Sequence, residues 1–167
     1  MINIVLFEPE IPQNTGNIMR TCVAANMFLH LIEPLGFSLD EKHLRRSGLD
    51  YIKDLKYKVY PNYQEFLKQN KIDGNIFYIT RYSKQVYSDI NYPSGDIYLM
   101  FGKESTGIPL ELLHDNLDYC VRIPMVEDAR SLNLSNCVAL VSYEVQRQHG
   151  FKGLATHETL KGEDWIY

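Results

Sequence analysis

Apolar and polar positions along this chain fall into short runs separated by Pro, Gly and charged punctuation, and the runs alternate between two periods. Residues 2–7, 28–32, 55–60, 75–80, 96–101 and 118–123 are rich in β-branched and aromatic side chains and predict strands. Several are apolar on both faces, as in Ile97-Tyr98-Leu99-Met100-Phe101, which fits a sheet covered by helices on each side. Helical spacing predicts helices over 15–27, 62–68, 109–114 and 133–148. In the last, Leu134, Cys137, Val138, Val141 and Val145 share one face while Asn136, Glu144 and Arg147 lie elsewhere, so this helix should pack on the sheet or on a second subunit. The alternation predicts an α/β fold, a mainly parallel sheet flanked by helices, with a ligand crevice at the carboxyl ends of its strands.

Length changes this picture little: 167 residues suit one folding unit, read as residues 1–150, with 151–167 as a C-terminal extension. Recognition and chemistry then share one surface. At 45% hydrophobic and 23% charged the chain can bury a continuous core, which excludes disorder. Net charge matters more. At -4 it excludes a general nucleic-acid binder held by a broad positive field. Any RNA contact has to be local, from Arg45 and Arg46, from Lys53, Lys56 and Lys58, or from Arg20, Arg122, Arg130 and Arg147.

The start, Met1-Ile2-Asn3-Ile4-Val5-Leu6-Phe7-Glu8-Pro9-Glu10, offers neither a cationic leader nor a long apolar span, so a cytoplasmic location without membrane contact is expected. Cys22, Cys120 and Cys137 are odd in number and set far apart in apolar runs, as reduced core thiols are. No zinc spacing occurs among the five histidines, and no metal is expected.

Three stretches carry candidate chemistry. The first, Pro12-Gln13-Asn14-Thr15-Gly16-Asn17-Ile18-Met19-Arg20, follows the first strand; Asn14 or Thr15 can cap the helix it opens, and Gly16 permits close backbone approach. Its amides are then available to an anion such as RNA phosphate, with Arg20 adding a forked cation. The second, Met100-Phe101-Gly102-Lys103-Glu104-Ser105-Thr106-Gly107-Ile108-Pro109, is not a P-loop: Ile97 stands where the first glycine belongs, and Glu104 where magnesium needs Ser or Thr. The third runs from Ile123 to Asn136 and ends in a Ser/Asn-rich helix start for which Asn133 is the expected cap. A Rossmann oxidoreductase is excluded because Glu8-Pro9-Glu10 occupies the place of its glycine-rich turn.

In this order the three stretches resemble the motifs of the SPOUT methyltransferases. Val5 to Pro12, Asn14 to Arg20, Ile32-Glu33-Pro34-Leu35-Gly36-Phe37, Leu44 to Tyr51 and Arg130 to Asn136 look more narrowly like the small subfamily that methylates the tRNA wobble ribose. The resemblance covers the chain to about Gly150. It implies a deep C-terminal trefoil knot, a homodimer, and S-adenosylmethionine as methyl donor to the 2'-hydroxyl of nucleotide 34 in the anticodon stem-loop of tRNA. Carried over by position, it implies cofactor contacts from Ile79, Thr80, Gly102, Glu104, Gly107, Ile123, Met125, Ser131 and Leu132. Arg20, Ser131 and Asn133 would stand nearest the chemistry, and Asn14, Arg20, Arg45, Arg46 and Arg130 would touch RNA. Lys103 and Thr106 depart from the commoner pattern, which has Pro and a basic residue there, and Glu127 and Ala129 mark the third motif.

A sulfonium methyl is already electrophilic, so the protein has to hold a ribose oxygen in line with it and ease the loss of its proton. A guanidinium is a poor proton acceptor, which makes Arg20 a clamp on phosphate or oxyanion, with Ser131 or a water passing the proton on. The competing readings are a dimeric RNA-binding protein that keeps the cofactor fold without turnover, and a methyltransferase acting at another RNA position.

Overall fold

The computed structural model describes residues 1–39, 53–72 and 74–161. Six strands, β1 (Ile2–Phe7), β2 (Phe28–Ile32), β3 (Lys56–Tyr60), β4 (Ile76–Ile79), β5 (Ile97–Phe101) and β6 (Cys120–Val121), form one sheet in the order β3-β2-β1-β5-β4-β6. Every pairing is parallel. Around it lie α1 (Pro12–Ala24), α2 (Tyr63–Asn70), α3 (Leu110–His114) and α4 (Leu134–Gln148). No helix among the described residues is long and apolar enough to cross a membrane.

Two elements depart most from their predicted spans, each for a local reason. Helix α1 starts at Pro12, not residue 15, because a proline at the first helical position has its φ already set and no N–H to strand. Asn14 and Thr15 are therefore inside the helix and buried, and neither side chain caps it. Strand β6 is only two residues long, since Arg122 leaves β4 and bonds instead to the connection that follows it: Arg122 N donates to Gln85 O and Tyr87 N to Arg122 O.

Both faces of the sheet are covered, which is why β1 and most of β5 are buried without alternation. Ile4, Leu6, Leu29, Leu31 and Leu99 face α1 and α4, whereas Val5, Phe7, Ile32 and Met100 face α2. From α4, Val138, Val141 and Val145 are fully buried against Ile18, Met19 and Cys22 of α1, as their spacing predicts. Each such valine contributes about 1.5–3 kcal/mol relative to exposure. This packing draws α4 back from the edge strand β6 to the middle of the sheet, so the chain between them must cross the carboxyl ends of β4 and β5. Cys22 and Cys120 are buried thiols, and burial pushes Cys22 up to about 12.

Between the sheet and α2 lies a polar chain in an aromatic setting. Asn3 Nδ2 donates to Ile97 O, which leaves its Oδ1 to accept from His30 Nε2. His30 Nδ1 then accepts from Tyr60 Oη at 2.8 Å, and Asn70 Nδ2 donates to that same hydroxyl. The network holds His30 neutral, and burial, reinforced by Lys58, lowers its pKa to about 4. The unfolded chain, with His30 near 6.5, binds the extra proton first. His30 thus costs nothing above pH 6.5, and stability falls as pH drops from there toward 4, by on the order of 3 kcal/mol. Urea titrations across this window should show the loss, and His30→Gln, which does not titrate, should flatten it.

Candidate functional site

At the carboxyl end of the sheet, the loop from β1 into α1 and the turn from β5 into α3 lie side by side. They are fastened by crossed carboxylates. Glu104 accepts from Glu10 N at 2.8 Å, Ile11 N at 3.2 Å and Asn14 Nδ2 at 3.0 Å. Glu10 in return accepts from Ser105 N and Ser105 Oγ, both at 2.9 Å, and these bonds hold its carboxyl below the usual range. A third tie joins Lys103 Nζ to Glu8 Oε2 at 2.7 Å, raising the lysine's pKa. Glu8 sits at a φ of 48°, which a non-glycine residue rarely adopts, with its N–H donating to Ile32 O at 3.0 Å.

Glu104 takes the two amides just ahead of α1, those of Glu10 and Ile11, so the protein's own carboxylate stands beside the start of the first motif. A Cβ on Gly16 would meet nothing within 4 Å among the described residues. Gly102 is the tight position. A Cβ there would lie 2.1 Å from Gly107 C and 2.2 Å from Ile108 N, so the turn's own return already requires the glycine. The turn closes through Gly107 N to Lys103 O at 2.9 Å, with Gly107 at a φ of 75°.

Beside the clasp opens a cavity of about 590 Å³. Ile79, Thr80, Gly102, Glu104, Gly107, Ile123, Met125, Ser131 and Leu132 all line it, with Asn14 and Asn133. The loop that crosses from β6 to α4 supplies its far wall. Asn133 caps α4 as expected, its Oδ1 accepting from Ser135 N, while its Nδ2 donates to Asn14 Oδ1 at 2.8 Å. A relay therefore runs from Glu104 through Asn14 to Asn133. Asn14, cast as an RNA contact, is 6% exposed and has both ends of its amide engaged inward.

The chain alone does not bring every predicted residue here. Arg20 and Arg130 are exposed and do not line the cavity, and Arg45 and Arg46 lie outside the described residues. The sequence reading also missed lining residues: Phe101, Ile108 and Cys137 in the walls, and Arg81 and Tyr82 at the end of β4. The signal for the last two was available, since residues just past a parallel strand's carboxyl end face the crevice.

The sequence profile of the SpoU rRNA methylase family matches residues 1–143. This chain belongs to that family. The tRNA (cytidine(34)-2'-O)-methyltransferase of Escherichia coli (strain K12) is 47% identical over 155 residues, 92% of this chain and 97% of its own. A solved structure concerned with the 2-OH methylation of C/U34 on tRNA is 38% identical with a TM-score of 0.83, covering 91% of this chain and 98% of the other. An AdoMet-bound rRNA methyltransferase from Sinorhizobium meliloti shares the fold at a TM-score of 0.76 and 24% identity, covering 87% of this chain and 56% of its own.

Glu104→Gln offers one amide oxygen where a carboxylate took three donors, and turns an NH₂ toward N–H groups. It should lower stability by about 1–3 kcal/mol. Gly102→Ala should be worse, because the clashing atoms are backbone. Urea denaturation of both checks the pair, and the expected order is wild type, Glu104→Gln, Gly102→Ala.

Proposed function

We propose that this protein transfers the methyl group of S-adenosylmethionine to the ribose 2'-hydroxyl of nucleotide 34 in tRNA. The observation that carries the reading is that every residue expected to hold the cofactor lines one 590 Å³ cavity, with Ser131 and Asn133 on the same wall. The kinship with tRNA (cytidine(34)-2'-O)-methyltransferases supports the substrate.

The cavity fits the cofactor by size and chemistry. Its walls are apolar at Ile79, Phe101, Ile108, Ile123 and Leu132, and the Gly102-to-Gly107 turn exposes backbone, as sites of several hundred Å³ for nucleoside-like ligands do. When bound, S-adenosylmethionine supplies a methyl group that needs no further activation. What remains for the protein is to place the ribose and accept its proton. Ser131 is exposed at the cavity wall, where its hydroxyl can pass that proton to solvent. Asn133, fixed by Asn14, holds the start of α4 and so the position of Ser131.

Arg20 is outside its own cavity, so the clamp role requires a second copy. Leu140 and Tyr143, 44% and 43% exposed one turn apart on the outer face of α4, support a homodimer through that helix. The knot is inferred in the same spirit. Both ends of segment 122–148 are fastened to the connection between β4 and β5, Arg122 to Gln85 and Tyr87, and Gln148 to Ile90 O and Tyr92 N, which supports threading of the chain beneath it. We read residues 1–150 as the catalytic unit and its setting as cytoplasmic.

Mass spectrometry of nucleosides from tRNA incubated with protein and S-adenosylmethionine tests the reading, and methylation mapped to the ribose of nucleotide 34 is the expected result. Binding of tRNA without transfer would leave the inactive-binder reading; methyl at another position would reassign the substrate. Arg20→Lys keeps charge but loses the fork, so single-turnover rates should fall about tenfold or more while S-adenosylmethionine affinity stays within twofold. Selective alkaline rescue of the lysine variant would overturn the clamp role.

A further inference from the structure

The crevice described above explains where a cofactor and a ribose would sit, but not what holds the base attached to that ribose. We infer that Tyr82 is the platform on which the base of the target nucleotide stacks, with Arg81 beside it on the flanking phosphate. The inference rests on the proposed function and adds what holds the base of the target nucleotide.

Tyr82 lines the cavity and is 67% exposed, the most exposed aromatic among the described residues. Among those residues its ring has no aromatic or cationic partner. Of the aromatic side chains on the sheet, Tyr60, Tyr78 and Phe101 are nearly inaccessible, and Tyr57, on the edge strand β3, is 39% exposed. An unpacked ring at the mouth of a ligand cavity is an unsatisfied apolar surface in the one place where a planar ligand group would arrive.

The exposure is built in. Tyr82 N donates to Thr80 Oγ1 at 3.3 Å, Ser83 Oγ donates to Cys120 O at 2.6 Å, and Gln85 N donates to Ser83 Oγ at 3.0 Å. The turn is thereby tied to β6 at Cys120 and again at Arg122. A ring presented on an anchored turn loses little freedom on binding, which favours stacking.

The chemistry of the substrate asks for such a surface. To bring a ribose 2'-hydroxyl to the cavity wall at Ser131, a loop nucleotide has to leave its neighbours, and its exposed base faces then need a new partner. Aromatic side chains supply this in single-stranded RNA recognition. Stacking reads a base by its π-face, not by its exocyclic groups, so a tyrosine platform accepts cytidine and uridine alike. Arg81 is exposed on the same lip of the cavity and carries the planar fork suited to phosphate.

The test uses the full chain and two anticodon stem-loops that differ only in C34 or U34, with the same C34 stem-loop carrying pyrrolocytidine at position 34 as a stacking probe. Tyr82→Ala should raise KM for both stem-loops by a similar factor of about tenfold or more, leave S-adenosylmethionine affinity within twofold, and abolish pyrrolocytidine quenching. Tyr82→Phe should behave as wild type in all three, which separates stacking from a hydroxyl role. An unchanged KM in Tyr82→Ala, or a loss of S-adenosylmethionine affinity that matches the rise in KM, would overturn the inference, the second by assigning the ring to the cofactor's adenine. A wild-type protein that transfers no methyl would fail the functional reading instead, and the quenching comparison between wild type and Tyr82→Ala would still decide the stacking.

Discussion

The carboxylate of Glu104 at the start of α1 is the interaction on which the geometry of this crevice depends. Helix α1 opens without a side-chain cap of its own, and the two amides that lead into it, Glu10 N–H and Ile11 N–H, need an acceptor from elsewhere in the chain. Glu104 supplies it from 93 or 94 residues away and reaches one donor further, to Asn14. Because Asn14 in turn fixes Asn133, one carboxylate sets the relation of three chain segments that follow β1, β5 and β6. The reciprocal bond of Glu10 to Ser105 makes the clasp two-sided, so that neither loop can shift without breaking charge-assisted bonds on both.

Much of the fold is legible in the amino-acid sequence because its signals are local. Runs such as Ile97-Tyr98-Leu99-Met100-Phe101 are apolar on both sides only if helices cover both sides, and Val138, Val141 and Val145 share a face in any helix. The cavity lining was legible through the ordered motifs, which a family resemblance reads as a set. What was hidden is the long-range part. That Glu104 belongs to α1 and that Gly102 is required by its own turn follow from contacts across space, which no spacing pattern encodes. The start of α1 has a different origin: the capping preference of Asn14 and Thr15 competes with the proline that precedes them, and the proline prevails.

The two faces of the sheet divide their work. On the α2 side, Asn3, His30, Tyr60 and Asn70 satisfy one another inside an aromatic layer, and each donor and acceptor in that chain has a partner whose role is set by the next. Such a network specifies the register of β2 and β3, since sliding either strand by one residue would bury a polar group unpaired. On the α1 side the core is mostly apolar, with Gln146 Nε2 donating to Ala25 O, so α4 seats mainly by packing and brings the crossing loop down on the cavity.

A chain of net charge -4 presents a problem for a protein that must admit a polyanion, and the clasp resolves much of it. Glu8, Glu10 and Glu104 crowd the crevice, yet each is answered within the protein: Glu8 by Lys103, Glu10 by Ser105, and Glu104 by the amides that open α1. Hydrogen-bond donors aimed at a carboxylate offset its field at short range, and salt screens the remainder beyond roughly 8 Å at physiological ionic strength. The acids that build the site are thus muted by the contacts that give it shape. What the single chain does not furnish at the cavity is the Arg20 fork, which stands on the exposed side of α1. In the homodimer proposed above a second copy would be the source of it, joined through the outer face of α4 where Leu140 and Tyr143 are exposed, so that the charge the cavity lacks would come with the assembly and not from the acids' own neighbours.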